Sequence, residues 1–314
     1  MTAQLTPPNS VLIAGCGDIG RRVAKLYLAD TVHTTVLIPK TGQTRVTGIV
    51  RSQASANTLL ALGISPLIFD LDSGKTSDDV SLFPDDVDTL FYFAPPPSSG
   101  KTDTRMCVFL ANLSKSKLPN KIVYISTTGV YGDHQGALVT ELTPANPSVD
   151  RAHRRYDAEQ QLRTFTTQHD VGLNILRVGG IYGPQRLPLE RIKKRVPMLH
   201  AELAPSTNRI HEDDLAAICK RVAEYAPAGE IYNVSDGNDS NMTEYFLTLA
   251  DYFNLPRPPL VDWDEAERVL SKGMLSYLHE SRRVSNKKLI NELDVKLQYP
   301  DLLAGLTAMG DDKT

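Results

Sequence analysis

Cysteine is scarce in this sequence. Its 314 residues include three, Cys16, Cys107 and Cys219, and no spacing among them suggests a zinc site or a redox pair. They read as small buried hydrophobes in a reducing compartment, so neither a disulfide framework nor a metal site is expected. No charge sign prevails: 34 Lys and Arg against 37 Asp and Glu leave a formal net charge of -3, with no electrostatic footprint for nucleic acid. No apolar run approaches the roughly 18–20 residues of a membrane span. The opening "MTAQLTPPNS" is polar and proline-bearing, unlike a signal peptide. Internal repeats and low-complexity segments are absent as well. A cytoplasmic protein acting on a small molecule is expected, without nucleic acid or membrane as a partner.

What is present is an alternation. "SVLIAG", "RVTGIVRS", "SPLIFDLD", "VDTLFYFAPPP", "KIVYISTTGVYGD" and "LNILRVGGIY" are short apolar runs that read as strands. "TTVLIPK" is a further strand candidate before "RVTGIVRS". Between them lie helical patterns: "RRVAKLYLAD", "ANTLLALG", "MCVFLANLSKSKL" and the stretch "NPSVDRAHRRYDAEQQL" at 146–162. Strands alternating with helices predict an α/β fold with a doubly wound parallel Rossmann sheet. That domain is expected over residues 1–184, with its sixth strand near 172–182. A smaller C-terminal α/β substrate lobe is expected over 185–314, packed on the first. In it "RIHEDDLAAICKRVAEYA" and "NMTEYFLTLADYFNL" read as helices, "EIYNVSD" as a strand, and residues 281–309 as mostly helical. The terminal "GDDKT" is expected to fray.

Gly15, Gly17 and Gly20 form G-x-G-x-x-G between the first strand and the first helix. The first glycine makes the tight turn, the second admits a pyrophosphate to the backbone, and the third lets helix and strand pack closely. With Asp18 and Ile19 they open a helix whose N-terminal N–H groups suit phosphate. An NAD site usually ends its second strand in Asp or Glu, which holds the ribose 2′-OH. Here "TTVLIPK" ends in Lys40, and "RVTGIVRS" ends in Arg51 and Ser52. A cation and a hydroxyl suit a 2′-phosphate, so NADP is expected over NAD.

With these motifs in order, the chain resembles the extended short-chain dehydrogenase/reductase superfamily, in its NAD(P)-dependent epimerase/dehydratase group. "VLIAGCGDIGRRVA" is similar to its cofactor loop. "FDLDS" is similar to the segment beside the adenine, which implies Asp70 and Leu71 there. "YFAPPP" matches the fourth-strand exit, implying Ala94 and Pro95 at the cofactor. "ELTPANP", "ILRVGGIYGP", "IHEDDLA" and "EIYNVSDG" match further landmarks. The resemblance implies hydride transfer at a nicotinamide. In the family a Ser or Thr polarises the substrate oxygen, a Tyr handles its proton, and a Lys four residues later lowers the Tyr pKa and binds the ribose.

Carried over, the Ser/Thr position falls on Thr127. The Tyr position falls on Arg151 and the Lys position on Arg155, with Glu159 where the family often has a glutamate. Arginine keeps its proton, so Arg151 is no acid or base, whereas Arg155 retains the cationic role toward a ribose or phosphate. Gly180 stands where many nucleotide-sugar members have an Asn. The pattern resembles atypical subgroups that keep the cofactor site and degrade the catalytic tetrad. Tyr156 is turned some 140° from the Tyr position and reads as packing. His153 is expected to pair with Asp157, four residues on. Tyr131, Tyr182 and the Asp213–Asp214 pair read as structural, and the basic cluster 191–197 as a solvated face or a seat for an anionic substrate. Three readings follow: an NADP-linked oxidoreductase with altered acid/base groups, a non-catalytic dinucleotide sensor or interaction protein, or an enzyme whose Arg151 and Arg155 grip a substrate anion. A homodimer through helices flanking the cleft is common in the superfamily.

Overall fold

The computed structural model describes residues 8–29, 44–73, 83–113 and 117–311. Seven strands make one sheet: β1 (Ser10–Ala14), β2 (Arg45–Val50), β3 (Ser65–Ile68), β4 (Thr89–Tyr92), β5 (Lys121–Thr127), β6 (Gly172–Val178) and β7 (Ile231–Val234). Their order is β7-β6-β5-β4-β1-β2-β3, and every pairing is parallel. This is the doubly wound arrangement, and its strand order reverses at β1, beside β4.

Burial on both faces explains the apolar runs. Along β1, Val11 and Ile13 join one core and Leu12 and Ala14 the other, as the period of two requires. Helix α1 (Asp18–Ala29) and helix α5 (Glu212–Tyr225) cover the first face through Val23, Tyr27, Leu215 and Val222. Helices α3 (Thr104–Leu113) and α4 (Asp150–His169) cover the second through Phe109 and Leu162. Between β2 and β3 runs α2 (Gln53–Ala61).

Arg45–Val50 is the strand beside β1, in register from Ser10–Arg45 to Ala14–Ile49. The other second-strand candidate, residues 34–40, lies outside the described residues. The chain after 184 contributes to the sheet, through α5 and β7, and also builds two clusters of its own. Ile192, Met198, Phe246 and Leu306 make one, and Leu199, Val261, Ala266 and Leu278 the other. Within 281–309 the chain is less helical than its pattern predicts. Arg283–Val284 pairs in parallel with Leu138–Val139, because Val284 gains burial beside Tyr131 and Val139. The last helix, Leu302–Asp311, runs through Gly310 and Asp311 where fraying was expected; 312–314 lie outside the described residues. Among the described residues no helix is long and apolar enough to cross a membrane.

Candidate functional site

The cradle is built by the exit of β1. Gly15 has φ +76°, and a Cβ there would stand 2.4 Å from the backbone N of Ala94, at the exit of β4. Only glycine satisfies both demands. Gly17 N donates to Gly15 O at 2.7 Å, closing the turn, and Arg21 N donates to Gly17 O at 2.9 Å, opening α1. The N–H groups of Asp18, Ile19 and Gly20 precede that first intrahelical bond and face no acceptor within the helix. A Cβ on Gly20 would meet Ile13 Cγ2 at 3.0 Å, so this glycine sets how closely helix and strand pack. A dinucleotide phosphate therefore fits: the backbone is bare at Gly17 and the donors stand ready at the start of α1.

A cavity of about 450 Å³ opens beside this turn. Of the residues predicted from sequence, Gly15, Gly17, Arg51, Ser52, Asp70, Leu71, Ala94 and Pro95 line it. Ile19 and Gly20 are buried in the core beneath it. Asp18 is turned aside: its carboxylate binds Arg186 Nη2 at 2.9 Å and Arg22 Nε at 3.4 Å, in a cluster that also contains Glu212 and Asp213. Its expected contribution is thus confined to its backbone N–H.

At the far end of the cavity Arg51 follows β2 directly and is largely exposed, with Asp72 Oδ2 3.8 Å away. Ser52 caps α2: its Oγ accepts from Ser55 N at 3.3 Å and donates to Ser55 Oγ at 3.0 Å. Ser55 was absent from the sequence prediction, although the capping spacing from Ser52 signals it. Arg105 was missed altogether. It reaches in from α3, donates to Pro95 O at 2.9 Å, and grips Asp72 through two bonds of 2.6 Å. That fork holds the Asp72 carboxyl below the usual carboxylate range, first through the Arg105 hydrogen bonds and then through its charge. Nothing in the local sequence around 105 carries this signal.

Thr127 ends β5. Its Oγ1 accepts from Gly129 N at 3.2 Å, capping the 3-10 turn Thr128–Tyr131 and leaving the hydroxyl proton available to donate. Arg155 donates through Nη1 to Ile125 O at 3.0 Å and Ala94 O at 3.5 Å. Its charge therefore bridges the exits of β4 and β5, at the rim of the cavity and outside its lining. Arg151 goes elsewhere. Its guanidinium donates to Ser276 Oγ at 2.8 Å and Ser276 O at 3.3 Å, lies 3.8 Å over the Tyr277 ring, and approaches Glu280 at 3.9 Å. Shared helix spacing thus does not make Arg151 and Arg155 a pair: one clamps the 272–280 segment and the other the C-terminal ends of β4 and β5.

The remaining candidates resolve by contact. Asp157 accepts from Asp103 N at 2.8 Å and Gln161 Nε2 at 2.5 Å, so the expected pairing with His153 is displaced by a tertiary partner. Tyr156 is half-buried. Tyr131 donates to Asn233 Oδ1 at 2.7 Å and Tyr182 to Asp301 O at 3.0 Å. Asp214 accepts from Gln298 N and Tyr299 N, while Asp213 meets Arg22. In the basic cluster Arg191 packs over Phe246 and Lys193 pairs with Glu190. Glu159, wholly buried, binds Arg177 through two bonds of 3.2 and 2.8 Å. Among the described residues no group of three or more His, Cys, Asp or Glu is placed to hold a metal ion.

The sequence profile of the NAD dependent epimerase/dehydratase family matches residues 11–235, from β1 through β7. The chain belongs to this family. Protein YeeZ of Escherichia coli (strain K12) is 25% identical over 268 residues, covering 82% of this chain and 89% of YeeZ. A functionally unknown conserved protein from Silicibacter pomeroyi DSS superposes with a TM-score of 0.78 at 28% identity, over 96% of this chain and 98% of that one. DesIV of Streptomyces venezuelae, a dTDP-glucose 4,6-dehydratase with NAD and TYD bound, superposes with a TM-score of 0.72 at 20% identity, over 95% of each chain. At that identity the likeness to DesIV concerns the fold.

One titration beside the family's late-strand segment is testable. Burial pushes the Asp236 carboxyl up to about 6, above the usual carboxylate range, against the lowering bonds from Asn238 and the lowering charge of Arg209. The folded state therefore holds its proton longer than the unfolded state, and stability falls as pH rises from about 4 to about 6. Asp236→Asn, which keeps an acceptor for Asn238 N, is expected to stabilise by about 2–3 kcal/mol at pH 8 and by nothing near pH 4. Urea melts at the two pH values check this; equal differences at both would refute it.

Proposed function

We propose that this family member is an NADP-linked oxidoreductase that moves a hydride between the nicotinamide and a small carbonyl, alcohol or sugar-derived substrate. The observation that carries the cofactor preference is the edge of β2. The strand beside β1 runs straight into Arg51 and Ser52, with no carboxylate at its end to take a ribose 2′-OH. Arg51 is exposed, Ser52 and Ser55 present hydroxyls, and α2 starts at Gln53 with N–H groups available. The nearby Asp72 carboxylate is occupied by Arg105, so it competes weakly for Arg51. These donors suit a dianionic 2′-phosphate.

A nicotinamide bound there would supply or accept the hydride. On the protein side, Thr127 donates its hydroxyl proton to the substrate oxygen, and the fixed charge of Arg155 favours negative charge building up at the β4–β5 exits. Arginine does not exchange its proton, so the proton relayed through Thr127 is drawn from solvent when the substrate is reduced and released to solvent when it is oxidised. The non-catalytic reading gains no support from the relatives.

Thermal shifts with NAD, NADH, NADP and NADPH test the cofactor. A ligand at 100 times its Kd stabilises by about 2.7 kcal/mol, so NADPH is expected to raise Tm well above NADH at equal concentration. Arg51→Asp is expected to weaken NADPH by about 10- to 100-fold and to spare NADH. Tighter binding of NADH by the unaltered protein would sink the preference. Saturable cofactor binding with no oxidation of NADPH across aldehydes, ketones and sugar derivatives would sink the reaction.

A further inference from the structure

Arg209 is a half-buried cation with no salt bridge among the described residues; the Asp236 carboxyl acts on it through charge alone. It opens the short strand Arg209–His211, which pairs with Gly180–Tyr182 in the register Arg209–Gly180. Its guanidinium carbon lies over the Tyr245 ring, 3.3 Å from the centroid. One bond is made by the fork: Nη2 donates to Thr207 Oγ1 at 3.4 Å, and buried Nε has no partner. Burial disfavours this charge. Other arginines with little exposure differ. Arg177 pairs with Glu159, and Arg282 and Arg151 both face Glu280. A guanidinium without a carboxylate in contact is costly to desolvate, and among the described residues Arg209 Nη1 makes no hydrogen bond.

Access comes from Gly180. This residue is exposed, and a Cβ placed on it would stand 3.5 Å from Arg209 Nη1. Val178, two residues earlier, pairs with Thr127 across β5 and β6. Two residues span at most about 7 Å, so Gly180 lies close beyond the rung that carries Thr127.

We propose that Arg209 seats an oxyanion of the substrate, a carboxylate or a phosphate, which reaches Nη1 across the bare α-carbon of Gly180. This rests on the reading that the cleft beyond Thr127 takes a substrate. It replaces the expectation that Arg151 and Arg155 grip the anion, since both guanidinium groups are engaged by the protein.

Gly180→Asp is the decisive variant. Gly180 has an ordinary backbone conformation, and a Cβ meets Asn208 O at 3.4 Å and Nη1 at 3.5 Å, so a side chain is admitted. Its carboxylate would occupy the seat while Arg209 keeps its stack on Tyr245. Calorimetric titrations use inorganic phosphate in one arm and acetate in the other, with and without saturating NADPH. At least one anion is expected to bind the unaltered protein and to bind Gly180→Asp and Arg209→Gln about tenfold or more weakly. The tighter anion marks the substrate as phosphorylated or carboxylic. NADPH affinity is expected to stay within about twofold in both variants, because neither residue lines the cofactor cavity. Absence of binding by both anions, or binding that Gly180→Asp leaves unchanged, overturns the proposal. Loss of NADPH binding by the unaltered protein would instead count against the oxidoreductase reading, and the arm without dinucleotide still measures the seat.

Discussion

Glu159→Ala is expected to lower the unfolding free energy by about 3–5 kcal/mol. The Glu159 side chain is 0% exposed and that of Arg177 5%. Two parallel bonds join them, and Ser126 Oγ donates to the same Glu159 Oε1 at 2.5 Å. Removing the carboxylate leaves Arg177 charged, desolvated and held over the Tyr131 ring at 4.7 Å. It also leaves the Ser126 hydroxyl without its acceptor. Against a total stability of about 5–15 kcal/mol, that loss is a large fraction. Glu159→Gln keeps the shape and one acceptor, so a smaller loss is expected. Glu159→Leu with Arg177→Met removes both charges and should recover much of the stability. Denaturant melts of the three proteins decide the matter; a Glu159→Ala loss below about 1 kcal/mol would show that the pair is not what holds α4 on β5 and β6.

Thr127→Val is expected to lower kcat for the proposed hydride transfer by about 10²- to 10³-fold, the cost of removing one donor aimed at developing negative charge. The hydroxyl has two roles. It accepts from Gly129 N, and its proton is left to donate. Valine removes both, and the lost cap alone costs about 0.5–2 kcal/mol of stability. Thr127→Ser keeps both and separates the effects: it should retain most activity, while valine loses it with cofactor affinity unchanged. A valine variant within about threefold of the unaltered kcat would assign proton donation to another group.

Much of this was legible in one dimension. β1, β5 and β6 are apolar runs because each is buried on two faces, which leaves no alternation to mislead. The cradle was legible because a tight turn, a bare backbone and a close helix–strand contact are local demands that glycine meets within six residues. Capping is local too, and Ser52 would have pointed to Ser55. The expected His153–Asp157 pair obeyed correct helix spacing and still did not form. A backbone N–H at Asp103, 54 residues away, presents Asp157 with a better donor than a neighbouring side chain.

Long cations were the unreadable part. Arg105, Arg151, Arg155 and Arg209 each sit where the backbone pattern places them, but a guanidinium reaches several ångströms and takes whatever acceptor the fold supplies. Arg105 found Asp72 and Pro95, and Arg151 found Ser276, 125 residues downstream. Arg209 found the Tyr245 ring and Thr207, with the Asp236 carboxyl acting on it through charge alone. The order of residues alone sets the parallel sheet and the glycine cradle, because backbone conformation and two-face burial are written in short windows. Where those charges point, and which one makes no salt bridge, was settled only in three dimensions, because partners for a charge come from segments that meet when the sheet and its covering elements close.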